Sequence, residues 1–206
     1  MNSSFSQDNL EFQTGDIILL SYDVWYSRLI EYFGYSKYSH VAMILKDPIF
    51  IDSKLKGYYV IESGYEDVVD ITDGKIKYGV QVNKYEDFIK KTSKYAYYRK
   101  LGVNDEKRKE FNNKLKEIYQ EIHNKPYNIN PIDWIKGKII INTNSFKNFK
   151  DQKTTSFWCS SLIAYIYDKL ELIEDCPWTL IAPREFSGEG NLIKFKECSL
   201  GKVIKL

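Results

Sequence analysis

The sequence predicts an α+β fold, and three observations lead there. Short apolar runs bounded by glycine and proline fill the first half, as buried strands do. Two segments of the second half carry apolar residues at three- and four-residue steps, the pattern of amphipathic helices. A chain of 206 residues, 43% of them hydrophobic, suits one domain with a sizeable core.

Residues 1–12 are polar and read as a flexible segment, which leaves 13–206 as the domain. Asp16 to Ser21, bounded by Gly15, reads as a first strand. Trp25 to Gly34 places Leu29, Ile30 and Phe33 at helical spacing, with Gly34 as the stop. Ser39 to Leu45, ending at Asp47-Pro48, and Tyr58 to Ser63, ending at Gly64, read as neighbouring strands. Glu66 to Ile71, Tyr78 to Val82 and Lys94 to Arg99 add further strands, with a short helix over Tyr85 to Lys91.

Asp105 to His123 is the plainest helix, with Phe111, Leu115, Ile118, Tyr119 and Ile122 on one face and Pro126 marking its end. The stretch 142–156 has no apolar period and is longer than an ordinary connection, which marks it for function. Phe157 to Leu172 is the second strong helix, striped by Leu162, Ile163, Ile166, Tyr167 and Leu170, with Ser156 or Thr155 as its N-cap. Leu192 to Phe195 and Lys202 to Leu206 are short segments able to close a sheet.

Charge excludes some functions. A formal net charge of +2 gives no global field to recruit nucleic acid or an anionic membrane, so partner choice falls to a local site. The start lacks a basic region followed by an apolar one, and no apolar run approaches the roughly 20 residues that span a bilayer. A soluble, cytoplasmic protein without stable membrane insertion is the expectation. Three cysteines, Cys159, Cys176 and Cys198, suit free thiols in a reducing compartment.

Chemistry concentrates at Cys159. In the first turn of a helix it would lie among unpaired backbone N–H groups, at the positive end of the dipole, where a thiolate and an oxyanion are both favoured. A small buried hydrophobe at a helix start is the bland reading of the same position. A cysteine nucleophile needs an imidazole, and the chain has two histidines. His123 ends a charged helix, where a cation suits the dipole. His40 heads an apolar strand and must find a partner once buried, either as a base or as a satisfied core histidine. Glu62 is an acid inside an apolar strand, on a solvated edge or paired; if the strands adjoin, it can accept the second N–H of His40 and fix its tautomer. Glu66 and Asp67 compete for that role.

Four segments, TGDIILL, YSHVAMIL with VIESG, NKPYN, and FWCSSLIAYIY with PREF, resemble the permuted papain-like proteins of the YiiX type in the NlpC superfamily. They resemble the lecithin:retinol acyltransferase group more distantly. The resemblance implies an antiparallel sheet or half-barrel packed against helices, with the catalytic cysteine at the N-terminus of a core helix. It also implies the permuted order histidine, polar partner, cysteine, which here is His40, Glu62, Cys159. The family's Gly-x-Pro-Tyr segment resembles Lys125-Pro126-Tyr127, with Asn124 where glycine is usual. Tyr127 is thereby a candidate oxyanion or positioning group, with a core tyrosine as the other reading. Ser160 and Ser161 read as small residues for close helix packing.

The implied activity is that of a cysteine amidase or peptidase working through an acyl-thioester on a peptide or amino-acid amide. A lipid acyltransferase, phospholipase or thioesterase acting on an acyl-lipid is the alternative, and a non-catalytic binding relative is the third reading. No cofactor is implied, and neither ligand spacing for a metal nor a phosphate loop is present.

Overall fold

The structure of the protein is a computed structural model, which describes residues 10–21, 36–64, 67–92, 94, 96–128, 152 and 154–206. Eight strands and three α-helices can be followed among them: β1 Ile17–Leu20, β2 His40–Lys46, β3 Tyr58–Gly64, β4 Gly79–Lys84, α1 Tyr85–Thr92, β5 Ala96–Arg99, β6 Leu101–Gly102, α2 Asp105–Ile122, α3 Cys159–Lys169, β7 Ser199–Leu200 and β8 Ile204–Lys205. Six strands form one sheet in the order β4-β3-β2-β1-β5-β8, and β6 pairs with β7. Every paired neighbour is antiparallel. The fold is therefore α+β, a mostly antiparallel sheet packed with helices.

Side chains alternate across a pleated sheet, so each strand contributes to two cores. Ile17 and Leu19, Val41, Met43 and Leu45, Tyr59 and Ile61, Val80 and Val82 pack with α2 and α3. Ile18 and Leu20, Ala42 and Ile44, Val60, Ala96 and Tyr98 pack around Phe88 of α1 on the opposite face. Burial on both faces explains why β1 and β2 read as continuous apolar runs rather than alternating ones.

The start of β1 is held by the Thr14-Gly15-Asp16 corner. The buried Asp16 carboxylate accepts from Gln13 N at 2.9 Å, Leu101 N at 2.8 Å and the Tyr98 hydroxyl at 2.7 Å. Burial nevertheless pushes the Asp16 carboxyl above its usual range, against those bonds. Gly15 has φ +97°, a conformation that strains any larger residue, and a Cβ there would also have to displace the Leu101 side chain, 2.8 Å away.

Several expectations need correction. Residues 10–12 of the expected loose segment are held: Phe12 is buried and its ring stands 4.9 to 5.5 Å from those of Tyr58, Tyr85 and Tyr98. The expected strand over Glu66 to Ile71 is irregular where described, and a turn begins at Ile71. The Asp70 carboxylate accepts from Thr72 N at 2.7 Å and from Val82 N at 3.0 Å, so a side chain does what a ladder would have done. Leu192 to Phe195 contributes one bridge, Ile173 with Phe195, rather than a strand. The cap of α3 is Trp158, with no side-chain cap hydrogen bond, instead of Ser156 or Thr155. The helix expected over Trp25 to Gly34 and most of the stretch 142–156 lie outside the described residues. Among the described residues, no helix is long and apolar enough to cross a membrane.

Candidate active site

The site is assembled by two strand ends and one helix start. Ser39 N donates to Leu20 O at 2.9 Å, which fixes the entry of β2 and sets His40 opposite Leu20. As the first residue of β2, His40 stands at the margin of the sheet. Its Nε2 lies 2.6 Å from Glu62 Oε2 of the adjacent strand β3, and the two side chains are 7% and 0% exposed. Glu62 is thus neither on a solvated edge nor unpaired. Its other oxygen, Oε1, accepts from Gln81 Nε2 at 2.9 Å, across the β3–β4 register that sets Gln81 opposite Glu62.

Cys159 is brought in by a splice of backbone. Residues 125–128 run between β4 and the start of α3. On one side Val80 N donates to Lys125 O at 2.9 Å, and on the other Phe157 N donates to Pro126 O while Asn128 N donates to Phe157 O, each at 3.1 Å. Gly79 permits this approach: a Cβ there would sit 2.4 Å from Lys125 O. Ser63 of β3 adds a hydroxyl bond to Phe157 O at 2.7 Å. The Lys125-Pro126-Tyr127 segment therefore ties β4 to the cysteine helix, and Ser63 ties the acid-bearing β3 to it.

Cys159 begins α3, is 4% exposed and sets its sulfur 4.0 Å from Ser39 O, one residue from the histidine. The amides of Cys159, Ser160 and Ser161 precede the first helical bond, Leu162 N to Trp158 O, so the helix makes no use of them. Their hydroxyl neighbours do not cap them: Ser160 donates to Ile181 O at 2.6 Å and Ser161 to Trp158 O at 2.9 Å. These two serines are packing residues, as the sequence suggests.

The His40 ring is held well above the usual imidazole range. Burial acts downward and is the largest single influence, but it is outweighed by the charge of Cys159, a hydrogen bond with Cys159, and the bond and charge of Glu62. With Nε2 committed to Glu62, Nδ1 is the ring nitrogen left for sulfur. The other two thiols differ. Burial, with acidic neighbours, pushes the Cys176 thiol up to about 12, and burial pushes Cys198 upward as well.

Tyr127 is joined to Phe157 by a parallel bridge, two residues before Cys159. Its ring packs edge-on against Tyr78, with centroids 5.0 Å apart. Asp67, offered as an alternative to Glu62, is ion-paired to Lys91 at 3.1 Å on the surface, and Glu66 lies outside the described residues. Gln81 went unnoticed in the sequence. A lone amide in the apolar strand GVQV was the signal, since a polar side chain at a buried strand position must have a partner. Among the described residues, no group of three or more His, Cys, Asp or Glu side chains is disposed to hold a metal ion.

No family model matches the chain, and no curated protein matches it. A crystal structure described as that of metalloprotein yiiX from Escherichia coli O157:H7, DUF1105, is similar to it at a TM-score of 0.49 and 16% sequence identity, over 93% of this chain and 90% of the other.

Proposed function

We propose that this chain is a cysteine-nucleophile hydrolase, an amidase or peptidase of the permuted papain-like kind, with the triad Cys159, His40 and Glu62. One observation carries the reading: a buried imidazole engaged by a carboxylate at 2.6 Å and by a cysteine that starts a helix. The acid, imidazole and thiol follow the order that nucleophilic catalysis requires.

In this reading the Cys159 thiol gives its proton to His40 Nδ1, and sulfur bonds to the substrate carbonyl carbon. The carbonyl electron pair moves to oxygen, which the unused amides at the start of α3 stabilise. As the tetrahedral centre collapses, His40 returns the proton to the departing amine and leaves an acyl-thioester. Water, deprotonated by His40, then attacks the same carbon, and sulfur leaves. Glu62 holds the tautomer and offsets the imidazolium charge. Tyr127 is a positioning candidate through its backbone place beside Phe157.

Lipid chemistry is the second reading, and a specific observation favours it. Val69, Ile76 and Tyr78 are 45% to 55% exposed on the segment that joins β3 to β4, and Tyr78 packs edge-on against Tyr127. Exposed apolar side chains on a segment that reaches Tyr127 suit an acyl chain. Acid-quenched mass spectrometry after mixing with 4-nitrophenyl esters of two and ten carbons tests both readings. An acyl mass on the Cys159 peptide is expected, with the short ester preferred for an amidase and the long one for lipid chemistry. Acylation confined to lysines would remove both.

A further inference from the structure

Glu62 poses a problem that the triad alone does not solve. A carboxylate at 0% exposure needs compensation for each oxygen, because an ionised group without partners in an apolar interior is strongly disfavoured. His40 satisfies Oε2. Oε1 points away from His40, into the neighbouring strand, where Gln81 Nε2 meets it at 2.9 Å.

Gln81 is itself 1% exposed, and its neighbours Val80 and Val82 are buried apolar residues. Its Oε1 has no hydrogen-bond partner among the described residues. An unpaired buried carbonyl is costly, and an apolar side chain at this strand position would avoid that cost. Turning the amide over does not help, since its oxygen would then face the Glu62 oxygen at that same short distance, acceptor against acceptor. A buried polar group that breaks the local rule points to a functional or a strained site, and here its donor lies on the candidate triad's acid.

We infer that Gln81 is a positioning residue of the site, its amide fixing the rotation of the Glu62 carboxylate so that Oε2 stays on His40 Nε2. Three adjacent strands then present one relay, Gln81 on β4, Glu62 on β3 and His40 on β2, which ends at Cys159 on α3. Gln81 touches neither sulfur nor the substrate carbonyl; it acts through Glu62. The inference rests on the triad reading proposed above and adds to it the group that orients the acid.

Cys159 and Glu62 are the groups that raise His40, so loosening Glu62 must show in the histidine. The test is the pH dependence of Cys159 carboxamidomethylation by iodoacetamide, followed by peptide mass mapping, beside NMR titration of histidine-labelled protein. Gln81→Met keeps the volume and removes the donor. The His40 midpoint should fall by about one pH unit, and Cys159 should alkylate up to about tenfold more slowly below that midpoint, where its thiolate depends on the imidazolium. Glu62→Gln with Gln81→Met should be no slower than Glu62→Gln alone, because the two changes act on one path. Should Gln81→Met fail to fold, Gln81→Asn keeps the amide but withdraws it by about 1.5 Å, roughly one C–C bond, and should shift the midpoint in the same direction. A His40-dependent profile in the parent protein that Gln81→Met or Gln81→Asn leaves unchanged would overturn the role of Gln81 and leave the triad standing. A parent protein whose Cys159 reactivity ignores His40 would overturn the triad, and Gln81 with it.

Discussion

His40 and His123 each belong to a set of carboxylate, imidazole and proton-bearing side chain, and the two sets are connected in different orders. At His40 the imidazole is central, with Glu62 at 2.6 Å on one nitrogen and Cys159 acting on the same ring by charge and hydrogen bond. At His123 the hydroxyl is central: Thr72 gives its proton to Asp70, and His123 Nε2 stands 3.2 Å from the same oxygen. Because Thr72 has one proton to give, His123 must be the donor to it and cannot act as its base. Asp70 is further satisfied by Lys77 at 3.1 Å and by Val82 N at 3.0 Å. The first set leaves a proton to be taken from sulfur, whereas the second is closed. Residue types in proximity do not make a triad; the histidine must lie between acid and nucleophile.

Breaking the first set should have the largest effect. His40→Ala removes the proposed general base and acid together, so acylation by an activated ester should fall by about 10²–10⁴-fold. Cys159→Ala should abolish the acyl adduct at that position altogether. Glu62→Gln comes next. Glutamine can still accept the Nε2–H of His40, but the ring loses an anion, and a neighbouring opposite charge shifts a pKa by about one to three units. The alkaline limit of acylation should therefore move to lower pH by that amount, with some activity retained. An unchanged profile would exclude Glu62 as the orienting group.

The same linkage predicts an effect on stability. His40 binds its proton more tightly in the folded protein than its usual value of about 6.5. The stabilisation is then complete below about pH 6.5 and is lost as the pH rises through the folded value. Urea midpoints should decline across that alkaline window, and Cys159→Ala, which removes a partner of the ring, should flatten the decline. His123→Ala is the smallest change. It should cost about 1 kcal/mol or less, the worth of one hydrogen bond, and leave acylation untouched.

Much of this arrangement was legible in the sequence. The periodicity of Phe111, Leu115, Ile118 and Ile122 located α2, and unbroken apolar runs located β1 and β2, because burial on both faces leaves no polar alternation to misread. His40 and Cys159 stood out because few residues of their type compete with them. Local patterns misled where side chains replaced backbone ladders. Asp70 organises a turn where a strand was expected, and Trp158 begins α3 although Ser156 and Thr155 have the better capping chemistry. Bonds from Ser63 to Phe157 and from Phe157 to Pro126 set that helix start, and no local preference encodes contacts so far apart in the chain. Gln81 was missed for a related reason: its meaning lies in the cross-strand register with Glu62, which only the sheet reveals.

The reactivity of the three thiols tests the central claim most directly. Cys176, pushed up to about 12, and Cys198, also raised, should resist a brief exposure to iodoacetamide at neutral pH, whereas Cys159 beside His40 should alkylate first. The account predicts that peptide mapping finds the label on Cys159 in the parent protein and that His40→Ala loses this preference. Equal labelling of all three cysteines in the folded protein, or a Cys159 preference that survives His40→Ala, would contradict it.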